Sequence, residues 1–194
     1  METREKILTA AAAAFTRYGY RQTNMELVAA EAALSRQGVY RHFSSKDALF
    51  VAMAEDMHRR SLDMAASQAA KARAATGDVV DVLVAAVSGR TALHYAFLIN
   101  TPHSRELTHE HTRQCVTLID YYRQRFMELL TNIIEAARKS GDLALLDTIP
   151  SLEFASDITT VALGLINAQP PKSPEHFRDD LTRILNRLRR GACR

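Results

Sequence analysis

Apolar residues recur at helical spacing almost from the start of the chain. Ile7, Leu8, Ala11, Phe15 and Tyr18 fall on one face, and Gly19 stands where a helix C-cap belongs. A second apolar face, Met25, Val28, Ala29 and Ala32, follows a start that Thr23 or Asn24 can cap. After the turn Ala33-Leu34-Ser35, Ser35 can cap a very short third helix reaching to about Arg41. Ser44-x-x-Asp47 reads as a capping box for a fourth helix, with Leu49, Met53 and Met57 facing inward. Three helices and the beginning of a fourth are thus packed into the stretch that ends at Phe50, with only short connections between them.

Beyond that stretch the segments lengthen. Thr76-Gly77-Asp78 breaks the chain before Val80, Leu83, Val84 and Val87, a Val-rich run whose i, i+3, i+4, i+7 spacing predicts helix rather than strand. Asn100-Thr101-Pro102 is a polar corner. One long helical pattern then spans Arg105 to Lys139 and ends at Ser140-Gly141. Pro150 opens a helix through Asn167, and Gln169-Pro170-Pro171 is a rigid loop. Ser173-Pro174-Glu175 gives an N-cap, a proline at the first helical position and an acid at the positive end of the last helix.

Composition agrees with this pattern. The 194 residues include only 7 Gly and 5 Pro, with no proline before Pro102, which predicts long helices and an all-α fold. Hydrophobic residues at 47% exclude wholesale disorder. A net charge of +3 permits a polyanionic partner without demanding one, so any nucleic-acid reading rests on where the charges stand. Cys115 and Cys193 lie far apart and read as free thiols of a reducing cytosol. METREKILTAAAAAF carries Glu2 and Glu5 and no cleavage pattern, and no run of ~18 apolar residues occurs, so a cytoplasmic protein with no membrane partner is expected.

The chemistry concentrates in AALSRQGVYRHFSSKDALF, Ala32 to Phe50. Two helices joined by a short turn form a helix-turn-helix, whose second helix can enter the major groove. Val28, Ala29 and Ala32 supply the buried face of the first, and Ala32 and Ala33 are small enough for a close crossing. On the second, Leu34, Val39 and Phe43 hold the helix, while Arg36, Gln37 and Arg41 project groups that bond base edges or phosphates. Between Tyr20 and Lys46 four cations (Arg21, Arg36, Arg41, Lys46) face two anions (Glu26, Glu31), both on the preceding helix. Helix starts at Thr23/Asn24 and Ser44/Ser45 present N–H groups suited to phosphates.

The stretch from Ile7 to Phe50 resembles the N-terminal domain of the tetracycline-repressor (TetR) family of bacterial regulators. The resemblance lies in ILTAAAAAF…GY, in TNMELVA, and in the spacing of Ser35, Tyr40, Phe43, Lys46 and Leu49 within LSRQGVYRHFSSKDALF. It implies that Tyr40, Lys46, His42 and the Thr23/Asn24 helix start touch phosphates, that Arg36 and Gln37 read bases of double-stranded operator DNA, and that Ser35, Gly38 and Arg41 belong to the same DNA-binding surface. Two positions depart from the family pattern. Ala33 replaces the usual turn glycine, so the turn must avoid positive φ there or accept strain. Gly38 replaces the usual threonine inside the reading helix, at a cost of about 1 kcal/mol in helix propensity.

The resemblance divides the chain into a DNA-binding domain, residues 1–46, and an effector-binding and dimerisation domain, residues 47–194. It implies a ligand-responsive regulator, a repressor released by a small molecule and acting as a homodimer. Tyr95, Phe97, Tyr121, Tyr122 and Phe126 are candidates for the lining of an effector pocket, with Arg90, His94 or His103 as polar anchors. The last two helices offer small positions Ala155, Ala162 and Gly164 and the stripe Phe177, Leu181, Ile184, Leu185 and Leu188. With little chain after it to cover it, that stripe suits a two-fold four-helix interface. Two other readings are weighed. An architectural DNA binder would not need the long second part. A metal-dependent hydrolase would have to use the cluster HSRELTHEH, His103 to His111, but no two of its histidines are four apart and no nucleophile elbow or H-E-x-x-H accompanies it. No enzyme activity, cofactor or metal is expected.

Overall fold

The computed structural model describes residues 2–94, 101–146, 148–168 and 172–192, with the backbone alone at 94 and 192. The elements of the described residues are helices, in the order α1 (Thr3–Gln22), α2 (Met25–Glu31), α3 (Arg36–Tyr40), α4 (Lys46–Ala75), α5 (Val79–His94), α6 (Ser104–Gln114), α7 (Val116–Ser140), α8 (Ser151–Ile166) and α9 (Pro174–Ala192). The protein is all-α, with a helix-turn-helix domain at its N-terminus and a larger helical part after it. Contacts group into two compact units, Met1–Arg60 with Leu93–Tyr122, and Ser61–Ala92 with Arg123–Arg194.

The first unit closes around Phe15 and Phe50, both fully buried. Their rings meet edge to face at 5.1 Å, and Tyr20 stacks on Phe15 and meets Phe50 edge-on. Ile7, Leu8, Val28, Val39, Leu49, Met53 and, from α6, Leu107 complete this core. Alanines 10, 11 and 14 on α1 are buried, and their small side chains let neighbouring helices approach closely. Gly19 does not end α1 but interrupts it at φ 76°, ψ 171°, after which the helix continues to Gln22. Asn24 Oδ1 accepts from Leu27 N at 2.9 Å and Ser35 Oγ from Gly38 N at 3.0 Å, as the cap residues lead one to expect. At α4 the cap is one residue later than the capping-box reading, because Ser45 Oγ accepts from Ala48 N. Asp47, the acid of that box, instead accepts from the Tyr20 hydroxyl.

Ala33 takes the strained alternative, with φ 51°. Its side chain is exposed, so nothing but the backbone requires it. Ala33→Gly is therefore expected to stabilise the protein by about 0.5–1 kcal/mol, the left-handed penalty of alanine less the extra chain entropy of glycine, read as a higher midpoint in urea unfolding.

The second unit is built on α5, whose residues Val79, Val80, Val82–Ala86 and Val87 are buried nearly all round. That explains why its sequence carries so weak a stripe. Phe126, Leu130, Ile133, Ile134 and Ala137 from α7 and Phe154 and Ile158 from α8 share this core. Gly89 admits the backbone of α4, since a Cβ there would stand 2.9 Å from the Met64 carbonyl oxygen. Two expectations are corrected. The pattern from Arg105 to Lys139 is two helices, divided at Cys115 (φ −117°, ψ 23°). And the residues assigned to a dimer face are largely core: Ala155, Ala162, Phe177, Leu181 and Leu185 are buried in the chain's own second unit. Ile184 and Leu188 are half-buried and Gly164 is exposed. The cover over this stripe comes from helices that precede it. Cys115 is a buried free thiol, pushed up to about 11 by burial, while Cys193 lies outside the described residues, as does the Gln169-Pro171 loop.

Candidate nucleic-acid interface

Local sequence sets the short helix α3. Leu34 N donates to Ala29 O at 2.9 Å and Ala33 N to Ala30 O at 3.1 Å, closing the turn between α2 and α3. Val39, fully buried, anchors α3 from below, and buried Phe43 holds the segment after it. The opposite side of this short helix is left in solvent, where Arg36, Gln37, Tyr40, Arg41 and His42 are all exposed. Such a row offers donors for phosphates and for base edges together. A Cβ at Gly38 would meet only Ser35 Oγ at 3.3 Å and Leu34 Cβ at 3.8 Å, so the surrounding protein does not demand glycine there.

Not every predicted contact stands in that row. Thr23 is buried, and its hydroxyl donates to Gly19 O at 2.6 Å, so its side chain serves the kink in α1 and not a phosphate. The Asn24 side chain is engaged in capping α2. Lys46 is half-buried. Its Nζ donates to Tyr20 O at 2.9 Å and lies 4.4 Å from the Tyr20 ring centroid, which fastens the start of α4 to the end of α1. Two neighbours were missed in the sequence. Glu26 on α2 pairs with Arg36 at 2.8 Å, and the Arg4 guanidinium lies 5.5 Å from the Phe43 ring centroid. No spacing rule joins either pair, because neither lies within one helix.

Residues 7–53 match the sequence profile described as bacterial regulatory proteins, tetR family. The N-terminal domain belongs to the TetR family. No curated protein sequence matches the chain. Solved structures share the fold across its length. A bacterial regulatory protein of the tetR family from Rhodococcus is 20% identical, with a TM-score of 0.61 over 100% of this chain and 98% of that one. The fatty acid degradation regulator FadR from Bacillus halodurans is 16% identical, with a TM-score of 0.67 over 95% of each chain. AibR in complex with isovaleryl coenzyme A and operator DNA is 19% identical, with a TM-score of 0.59 over 94% of this chain and 97% of that one.

At the far end of α1, α6 docks on its last turns. Glu106 Oε1 accepts from Arg21 N at 2.8 Å, His103 Nε2 lies 3.2 Å from Arg17 O, and Thr101 donates to Thr16 O at 2.8 Å. Burial, and after it the hydrogen bond to Asp47, pushes the Tyr20 hydroxyl up to about 12. Glu110 is held below the usual carboxylate range, first by the Gln114 amide and then by Arg113. His111 and His58, both buried, face each other at 2.9 Å between their Nε2 atoms, and Tyr122 stacks on His58.

Several residues expected to line an effector pocket have other partners. His103 and Tyr122 are used in the packing of the first unit, and Tyr121 is 55% exposed. Arg90 lies over the ring of buried Phe126 in the second unit. The side chain of His94, and Tyr95 and Phe97, lie outside the described residues. The histidines from His103 to His111 do not converge on one point either. His103 lies against the Arg17 carbonyl and His111 against His58, and no group of three or more His, Cys, Asp or Glu that could hold a metal occurs among the described residues. No helix among them is long and apolar enough to cross a membrane.

Proposed function

We propose that this chain is a ligand-responsive transcriptional repressor that binds operator DNA as a homodimer in the cytoplasm. The observation that carries the reading is α3: its inner residue Val39 is fully buried while Arg36, Gln37, Tyr40, Arg41 and His42 stand together in solvent. In this reading residues 1–46 engage DNA, with Gln37 and Arg36 toward bases and Tyr40, Arg41 and His42 toward phosphates. Residues 47–194 bind effector and partner subunit. A second copy would cover the open face of α8, where Leu152 and Leu163, each 59% exposed, flank Ser156, Thr160 and Gly164 at helical spacing. An effector site in the larger part is supported by Ser88 and Thr131, whose buried hydroxyls have no hydrogen-bond partner among the described residues. It is supported too by the fold shared with AibR, which binds an acyl coenzyme A and DNA together. Effector binding would shift the population away from the DNA-competent arrangement by its differential affinity for the two states.

Selection of binding sites from a random duplex pool, followed by salt titration on the selected site, tests the reading. Gln37→Ala is expected to change preference at one or two positions, at about 1–3 kcal/mol each. Arg41→Ala should weaken all sequences alike and lower the salt slope by about one. Unchanged affinity and preference in both variants would refute it.

A further inference from the structure

We infer that Glu26 is a positioning residue for DNA reading, holding the Arg36 guanidinium in a fixed orientation for a guanine edge. The inference rests on α3 being the reading helix. Glu26 stands in the first turn of α2, half-exposed, and α2 does not need it as a cap because Asn24 already bonds Leu27 N. An acid on a DNA-facing surface repels phosphates, so its presence there calls for a local partner. That partner is Arg36, whose Nη1 lies 2.8 Å from Glu26 Oε1. The same guanidinium lies over the Tyr40 ring, 5.3 Å from its centroid. The Tyr40 hydroxyl and then the Glu26 charge both favour its charged form.

Arg36 is therefore held from two sides in the free protein: by a carboxylate on one nitrogen and by an aromatic face. A planar guanidinium has donors to spare after one such bond, and those left over form the fork that matches guanine O6 and N7. An arginine already fixed loses less freedom on docking. The pair is exposed and adds little to folding. Its weight would come when DNA excludes water from it and the attraction strengthens.

The test selects binding sites from a random duplex pool with full-length wild type, Arg36→Ala and Glu26→Gln. Affinities are then measured on the selected site, on its guanine-to-adenine variant and on unrelated DNA. Arg36→Ala should erase a guanine preference at one position of each half-site, where wild type discriminates by about 5- to 150-fold. Glu26→Gln should reduce that discrimination to about 3-fold or less while binding unrelated DNA as well as wild type or better, since one negative charge is gone. A Glu26→Gln protein that keeps the guanine preference overturns the inference, and so does one that weakens every sequence alike. If Arg36→Ala leaves every base preference intact, Arg36 does not read bases and the inference falls, whereas failure of the reading helix itself shows separately as unchanged preference and affinity in Gln37→Ala and Arg41→Ala.

Discussion

Leu181→Asp is expected to unfold the second unit rather than release folded monomers. Leu181 is fully buried, between Phe177 and Leu185 one turn to either side, in the core shared with α5, α7 and α8. Truncating such a leucine to alanine costs about 2–5 kcal/mol, and a carboxylate there adds the penalty of an unpaired buried charge. A total of roughly 5 kcal/mol or more is comparable with the whole stability of many domains. The measurement is urea unfolding followed by circular dichroism, with sedimentation alongside. A folded variant with an unchanged midpoint would contradict the intrachain core. Leu163→Asp is the companion experiment. Its site is open to solvent, so it should keep the wild-type midpoint and, if α8 meets a second copy, sediment as a monomer.

The second large effect is expected at Gly19. Its backbone, at φ 76° and ψ 171°, lies where side chains are rarely tolerated, at a cost of about 1–3 kcal/mol. A Cβ would also overlap the Glu106 carboxylate and stand 2.9 Å from His103 Nδ1. Glu106 can swing away, but only by giving up the Arg21 amide, worth roughly another 1–3 kcal/mol. Gly19→Ala should therefore destabilise the first unit by about 2–5 kcal/mol, with faster hydrogen exchange at the amides around Arg21 and along α6. A shift below about 0.5 kcal/mol would show that the α1–α6 contact is not as tight as described.

Local rules served at two of the expected caps, where the partner is close in sequence. Asn24 and Ser35 cap their helices through amides three residues on, and the Ala33 turn was reducible to two backbone choices. They failed where the partner is remote. His58 finds His111 across 53 positions, a pairing that no helical period contains. The division at Cys115 was invisible because 107, 111, 115, 122, 126 and 130 keep an unbroken helical spacing and neither Gly nor Pro marks the change. Thr23 resembled a surface cap but is drawn under α1 by the Gly19 kink. The α9 stripe was legible as apolar, but periodicity does not say whose surface covers it.

Position 89 would look deceptively like a site of chemistry in any survey of tolerated substitutions. The atoms nearest to its missing side chain are main-chain atoms, the carbonyl of Met64 and the Cα of Ala65. Main chain cannot rotate aside as a side chain does, so even one added methyl must drive α4 and α5 apart. Their neighbouring buried residues, Ala65 and Ala69 on one helix and Ala85 and Ala86 on the other, are too short to fill the gap that would open. Selection would thus preserve glycine there as strictly as it preserves a reactive group. The reason would be a distance between two helices, and the intolerance would be the same whatever the protein binds.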